Sequence, residues 1–435
     1  MVAMNIYISG IGGAGLGPLA EIAQDAGYLV RGSDLQPSLA TRELEARGVS
    51  IVYDQSTSSI TRAHAERPID WFVYTSALPD TAEELQFVRQ HQIKASKRGE
   101  FLAELITSHD LELIAVAGTH GKTTTTALLV WVLKQLGILV SYSIGTTLPF
   151  GASGEFDPAA RYFVYEADEY DRNFLHFWPS ISLLPSVDYD HIDIYPTVDD
   201  YRAVFRQFVS QSDRTVLWRQ TADYLEIEPG TSDLTILDGT VSMSDINLPG
   251  NIMRANAKLV LETLRQTLDD FDEDRVKAIL AAFPGSDRRF EKLDENLYTD
   301  YGHHPIEIAA TLEKARELAN KVIVVYQPHQ NLRQAEIMEH GGYGAAFQDA
   351  DHLYWVPTYL VRADLLDGAP AVLAPADLIA SLENPEVAEP AELDDALWRN
   401  AQHHLSQGDL VLFMGAGPID DWLRQRLSAA KTAQN

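Results

Sequence analysis

Twice in its N-terminal third the chain runs from a short apolar strand through a glycine loop straight into a helix. Asn5 to Ser9 enters Gly10-Ile11-Gly12-Gly13-Ala14-Gly15, and Leu111 to Ala117 enters Gly118-Thr119-His120-Gly121-Lys122-Thr123. This order constrains the fold more than any other feature. A strand that feeds a covering helix builds a parallel sheet, and the loop between them presents helix amides to anions. Helices are expected at roughly Leu16 to Ala26, Glu100 to Ile106 and Thr124 to Leu136, each of the first and last stopped by a glycine. Tyr28 to Val30 and Trp71 to Thr75 read as further strands. A third start, Lys321 to Tyr326, is followed by strands at His352 to Val356 and Leu410 to Phe413. The 435 residues allow about three domains, and the expected boundaries are 1–107, 108–290 and 291–435. Pro284 to Glu295 reads as a separating turn-rich stretch, and 366–398 as surface helix and loop.

Charge narrows the partners. Lys and Arg number 34 against 63 Asp and Glu, a formal charge of −29, which opposes binding to nucleic-acid phosphates and to anionic membrane surfaces. No apolar run is long enough for a membrane span, and Met1 to Ile8 reads as a first strand, not an export signal. The absence of cysteine removes thiolate metal sites and cysteine nucleophiles and fits a cytoplasmic location.

The first loop fits G-x-G-x-x-G, with Asp34 lying 19 residues beyond Gly15. Its glycines allow backbone to approach a pyrophosphate, and the acidic residue can accept from a ribose hydroxyl. By itself this is compatible with NAD, FAD or a UDP-linked substrate. The second loop carries Gly121-Lys122-Thr123, the core of a Walker-type loop: amides wrap phosphates, the lysine neutralises charge and the threonine hydroxyl reaches Mg²⁺. Its leading glycine stands three residues before Gly121, not five. Two phosphate loops in one chain point to a nucleotide-linked substrate and a nucleoside triphosphate, each bound separately.

Carboxylates follow two further strands. Tyr162 to Tyr165 leads into Glu166-Ala167-Asp168-Glu169-Tyr170-Asp171, and Ile181 to Pro185 leads to Asp188-Tyr189-Asp190-His191-Ile192-Asp193. Open α/β sheets bind ligands at the carboxyl ends of their strands, and hard cations take oxygen ligands there. Arg288-Arg289 can supply guanidinium to a phosphoryl group, and Asp300-Tyr301-Gly302-His303-His304-Pro305 reads as a shaped loop.

Together these strings, with Gln327-Pro328-His329 and Gly415-Ala416-Gly417, resemble the Mur ligase family of ATP-dependent amino-acid ligases, in family order over nearly the whole chain. The resemblance implies an α/β fold of three domains: an N-terminal Rossmann-like domain for a UDP-sugar, a central P-loop ATPase with a mostly parallel sheet, and a C-terminal Rossmann-like domain for an amino acid. It implies that Gly12, Gly13, Ser33, Asp34 and Ser76 hold the UDP substrate. Gly118, Thr119, His120, Gly121, Lys122, Thr123, Thr124, Asn256, Arg288, Arg289 and Asp300 would hold ATP. Thr123, Glu166 and His191 would surround Mg²⁺, Lys122, Glu166 and His191 would be catalytic, and His303 and Arg333 would lie by the amino acid. The implied reaction joins an amino acid, L-alanine in the closest branch, to the carboxylate of UDP-N-acetylmuramate through an acyl phosphate, in peptidoglycan precursor synthesis. A tripeptide-adding sibling, a homologue without ligation and an NAD-dependent oxidoreductase are the alternatives. The partners are small molecules, and the chain is expected as a monomer or homodimer.

Three departures from the family pattern stand out. Gly250 to Asn256 carries Ile252-Met253 where a His-Asn pair is usual, Gln330 stands where an arginine is common, and Trp218 to Pro249 is short. A substrate carboxylate gripped by two guanidiniums would lose one partner at Gln330. The general base is open between His191 and His303.

Overall fold

A computed structural model describes residues 4–434 except 76, 192–193, 228–232, 362–363 and 365–369. The described residues form three sheets and two compact units, one of residues 1–245 with 256–283 and the other of residues 246–255 with 284–435.

The first unit holds two sheets. Strands β1 (Asn5–Ser9), β2 (Leu29–Ser33), β3 (Ser50–Val52), β4 (Trp71–Tyr74) and β5 (Lys94–Lys97) lie in the order β3-β2-β1-β4-β5, all parallel. β1 is buried along its whole length, as a central parallel strand covered on both faces must be. The helix Leu16–Asp25 turns Leu16, Leu19, Ala20, Ile22 and Ala23 inward, the i, i+3, i+4 stripe of a helix seated on a sheet.

The second sheet comprises β6 (Glu112–Ala117), β7 (Val140–Ser143), β8 (Gly154–Glu155), β9 (Tyr162–Ala167), β10 (Ile181–Leu184), β11 (Arg214–Trp218) and β12 (Asp233–Leu237). Its order is β12-β11-β10-β6-β9-β7-β8, and only the β7–β8 pair is antiparallel. β6 and β10 are neighbours, so the glycine loop after β6 and the acidic loop after β10 emerge side by side, with β9 and its own acidic loop on the other flank of β6. One continuous apolar core joins both sheets, from Ile6 and Leu19 through Phe101 to Phe163, Phe205 and Leu217.

The second unit is built on β13 (Glu291–Asp294), β14 (Leu297–Asp300), β15 (Val322–Tyr326), β16 (His352–Trp355), β17 (Ala388–Pro390) and β18 (Leu410–Met414), ordered β13-β14-β18-β15-β16-β17. It is parallel apart from β13 against β14. Two short strands correct the reading of the sequence. The separating stretch contains β13, and the supposed surface loop contains β17, which pairs Leu353 with Ala388 and ends at Pro390. Both lie at sheet edges, where charge and proline are tolerated because one side of the strand donates to no neighbour.

Candidate active site

The second glycine loop is shaped by positions that exclude side chains. Gly118 has φ +148°, and a Cβ there would stand 2.5 Å from the Ser186 carbonyl oxygen. Gly121 has φ +85° at the N-terminus of the helix Lys122–Gln135, and its missing side chain leaves room for Asn256. Thr119 donates its amide to Ser186 O at 2.8 Å and its hydroxyl to Asp188 O at 2.7 Å. The loop after β6 is thus tied to the loop after β10, and this compact closure accommodates the shortened glycine spacing. His120 forms a bridge with Ser186. Thr124 lies in the first helical turn, where amides have no partner within the helix.

Lys122 points back into this loop. Its ammonium donates to Gly118 O at 2.5 Å and to Glu169 Oε2 and Oε1 at 2.8 and 3.0 Å. Glu169 is 1% exposed. Burial works against both charges, but their mutual attraction wins: Lys122 titrates above the usual lysine range and Glu169 below the usual carboxylate range. Glu169 was missed as a site residue, because a glutamate in an acidic string carries no sequence mark of burial. His191 stands 3.6 Å from Glu169 Oε1 and 4.0 Å from Asp190 Oδ2. Burial pulls its pKa down, yet the Glu169 contact and the Asp190 charge hold it above the ordinary histidine value. Tyr195 donates its hydroxyl to the Glu169 carbonyl.

Thr123 and Glu166 meet: the hydroxyl donates to Glu166 Oε1 at 2.7 Å, and Gly145 N donates to Oε2 at 2.7 Å. No group of three or more ionisable metal ligands occurs among the described residues. An oxygen pair of hydroxyl and carboxylate still fits Mg²⁺, which completes its octahedron with phosphate oxygens and water and does not need a protein cage. His191 contacts Glu169 rather than this pair.

The first glycine loop is closed by its own downstream acid. Gly10 N and Ile11 N donate to Ser33 O at 2.8 and 3.0 Å, and Gly12 N donates to Asp34 Oδ2 at 2.8 Å. Gly13 lines a cleft of about 300 Å³ with Gly10, Gly15, Thr75, Lys97, Arg98 and the acidic loop from Asp168 to Asn173. Lys97 and Arg98 were not singled out from sequence. They sit at the end of β5 and the start of the helix Arg98–Ser108, with no motif around them. Ser76 lies outside the described residues.

In the second unit, Asp300 ends β14, is 5% exposed and accepts from Phe290 N and Gly302 N, each at 2.7 Å. Burial raises its pKa. Arg288 donates to Gly415 O at 2.9 Å and Gly417 O at 3.2 Å, and both Arg288 and Arg289 lie over the Tyr301 ring at 4.8 and 5.0 Å. Flanking the altered Ile252-Met253 pair, Asn251 donates to Glu313, and Arg254 pairs with Glu317 at 2.9 Å.

His303 and Arg333 come together, with Arg333 Nη1 3.3 Å from His303 Nε2. A guanidinium only donates, so these partners assign the His303 proton to Nδ1, near Tyr301 O at 3.3 Å and Glu307 Oε2 at 3.5 Å. Burial, reinforced by Arg333, pushes His303 down to about 4. Gln330 precedes the helix Asn331–Glu339 at φ +62° and ψ +114°, a backbone conformation that costs a side-chain-bearing residue on the order of 1–3 kcal/mol. Behind it, Tyr326, Tyr343 and Gln334 form a buried hydrogen-bonded chain.

Comparison with known proteins agrees with this architecture. Residues 5–109 match the Mur ligase family catalytic domain, 116–257 the Mur ligase middle domain and 288–417 the Mur ligase glutamate ligase domain. A UDP-N-acetylmuramate–L-alanine ligase of Roseiflexus castenholzii is 32% identical over 95% of both chains. One from Syntrophomonas wolfei is 31% identical over 95% of this chain and 94% of that one. The crystal structure of UDP-N-acetylmuramate-alanine ligase MurC from Thermotoga maritima aligns with a TM-score of 0.73 at 22% identity, covering 99% of this chain and 100% of that one. A murein peptide ligase from Psychrobacter arcticus aligns at 0.64 and 23% identity over 98% of each chain. With its three sheets, its paired glycine loops and matches that span nearly its full length, the chain belongs to the Mur ligase family.

Proposed function

We propose that this chain joins L-alanine to the carboxylate of UDP-N-acetylmuramate, with ATP as the energy-supplying substrate. The observation that carries this reading is the cluster at the second glycine loop. Lys122 is aimed at the loop's own carbonyls and Thr123 is hydrogen-bonded to Glu166, which is what transfer of a γ-phosphoryl group requires.

A carboxylate is a poor acyl donor because its charge repels nucleophiles and oxide is a bad leaving group. In the proposed first step the muramate carboxylate oxygen attacks the γ-phosphorus, giving an acyl phosphate and ADP. In the second, the free amine of alanine attacks the acyl carbon through a tetrahedral intermediate. Inorganic phosphate leaves and the new ammonium loses a proton. Lys122 supplies fixed positive charge to the transferring phosphoryl group. Thr123 and Glu166 would hold Mg²⁺, whose bound charge draws electron density from the phosphate oxygens. His191, which contacts Glu169, is proposed as a further ligand.

Residues 1–107 are assigned to the sugar nucleotide through Gly12, Gly13, Ser33 and Asp34, and residues 108–290 to ATP through Gly118 to Thr124 and Asn256. Residues 291–435 are assigned to alanine through His303 and Arg333; Asp300, with Arg288 and Arg289, is kept as a nucleotide ligand. A guanidinium such as Arg333 grips a carboxylate. His303, whose Nε2 meets Arg333, and His191 are the two candidate acceptors of the amine proton. No described helix is long and apolar enough to cross a membrane.

Phosphate release from ATP, screened with UDP-N-acetylmuramate against single amino acids and short peptides, tests the reading. L-alanine should give the highest kcat/KM. A preference for the tripeptide, or release that ignores the sugar nucleotide, would overturn it.

A further inference from the structure

The cleft above the first glycine loop contains two cations and two carboxylates already paired with one another. Lys97 Nζ lies 2.9 Å from Asp171 Oδ2, and Arg98 Nη2 lies 3.6 Å from Asp168 Oδ2. Both cations come from the first sheet's last strand and the helix after it, and both carboxylates from the loop after β9. Arg98 also occupies the space that a Gly15 side chain would fill, so its guanidinium rests directly on the phosphate-binding backbone. Gly10, Gly13 and Gly15 line the same cleft.

We propose that Lys97 and Arg98 are the cationic grip for the diphosphate of the sugar nucleotide, and that Asp168 and Asp171 are internal counter-anions which the diphosphate displaces. The inference rests on the reading that a sugar nucleotide binds this loop. Three features favour displacement over a fixed structural bridge. The four ion-pairing side chains are each between 36% and 43% exposed, so water already competes for these pairs and holding them gains little. A diphosphate brings more charge and more acceptor oxygens than a carboxylate to the same donors. The loop that carries the carboxylates is also under backbone strain, with Asp171 at φ +53° and Arg172 at φ +56°. Such a turn persists only while its contacts hold it.

A structural bridge and a displaceable anion predict opposite signs. Titration calorimetry of UDP-N-acetylmuramate into the full chain without ATP distinguishes them. Asp171→Asn and Asp168→Asn should tighten binding by about three- to tenfold, and Lys97→Ala should weaken it by about tenfold. Asparagine accepts positive φ as readily as aspartate, so Asp171→Asn keeps the turn. In the double variant Lys97→Ala/Asp171→Asn the gain should vanish, because the freed cation is gone. Wild-type binding with unchanged or weaker affinity in both asparagine variants would overturn the inference alone. A wild-type chain that does not bind the sugar nucleotide would overturn the functional reading as well.

Discussion

Lys122 and Glu169 form a nearly enclosed ion pair, ammonium to carboxylate at 2.8 Å, across 47 positions of sequence. The lysine that is to meet triphosphate is thus already charged, aimed and neutralised by the protein. Triphosphate entering the loop has to compete with a carboxylate that cannot be hydrated where it lies, so the pair sets how much of the binding energy reaches the phosphates.

Removing one partner leaves the other charge stranded. Lys122→Met is expected to cost about 2–4 kcal/mol in urea unfolding, and the double change Lys122→Met/Glu169→Gln to recover most of it. Phosphate release should be lost in both, while affinity for the sugar nucleotide stays near that of the wild type. Stability of the double variant equal to that of the single one would refute the pairing energy argued here.

Glu166 shares its carboxylate between Thr123 and Gly145 N. Glu166→Gln keeps the shape but removes the negative charge of the hydroxyl–carboxylate pair, so half-maximal phosphate release should need at least about tenfold more Mg²⁺. A magnesium titration at saturating ATP reads this directly, and an unchanged midpoint removes Glu166 from the metal site.

The low pKa of His303, about 4, makes stability depend on pH. Its native value lies below its unfolded value of about 6.5, so the unfolded chain binds the additional proton between the two. Stability contributed by the neutral ring is full above pH 6.5 and is lost as pH falls toward 4. At about 1.4 kcal/mol per unit, the loss reaches at most about 3.5 kcal/mol. Chemical denaturation of wild type and His303→Asn between pH 7 and 4 should show a shallower slope in the variant.

Gln330 and Arg333 stand one helical turn apart, with Gln334 N bonded back to Gln330 O. Gln330→Arg would place a second guanidinium beside the first. The KM for the amino acid should fall by about tenfold, the worth of one charge-assisted hydrogen bond, with kcat little changed. A KM that stays put in steady-state kinetics would show that the substrate carboxylate is held elsewhere.

What could be read along the chain is what neighbouring residues impose on one another. Gly10 to Gly15 and Gly118 to Thr123 announce strand, loop and helix because backbone sterics and helix-terminal amides act over a few residues. Glu166 was reachable for the same reason, as the acid that follows a strand of apolar residues. The partnership of Lys122 with Glu169, the meeting of Lys97 and Arg98 with Asp171 and Asp168, and the contact of Arg333 with His303 belong to another class. Each depends on which strands lie next to each other and how two layers of a unit pack, and no hydrophobic period or turn signal encodes that. The edge strands β13 and β17 escaped for a related reason: a strand that buries little side chain is held by backbone pairing, and its sequence is free to look like loop. Local chemistry therefore determined the kinds of site this chain can carry, while the long-range packing of its sheets decided which charges face one another inside them.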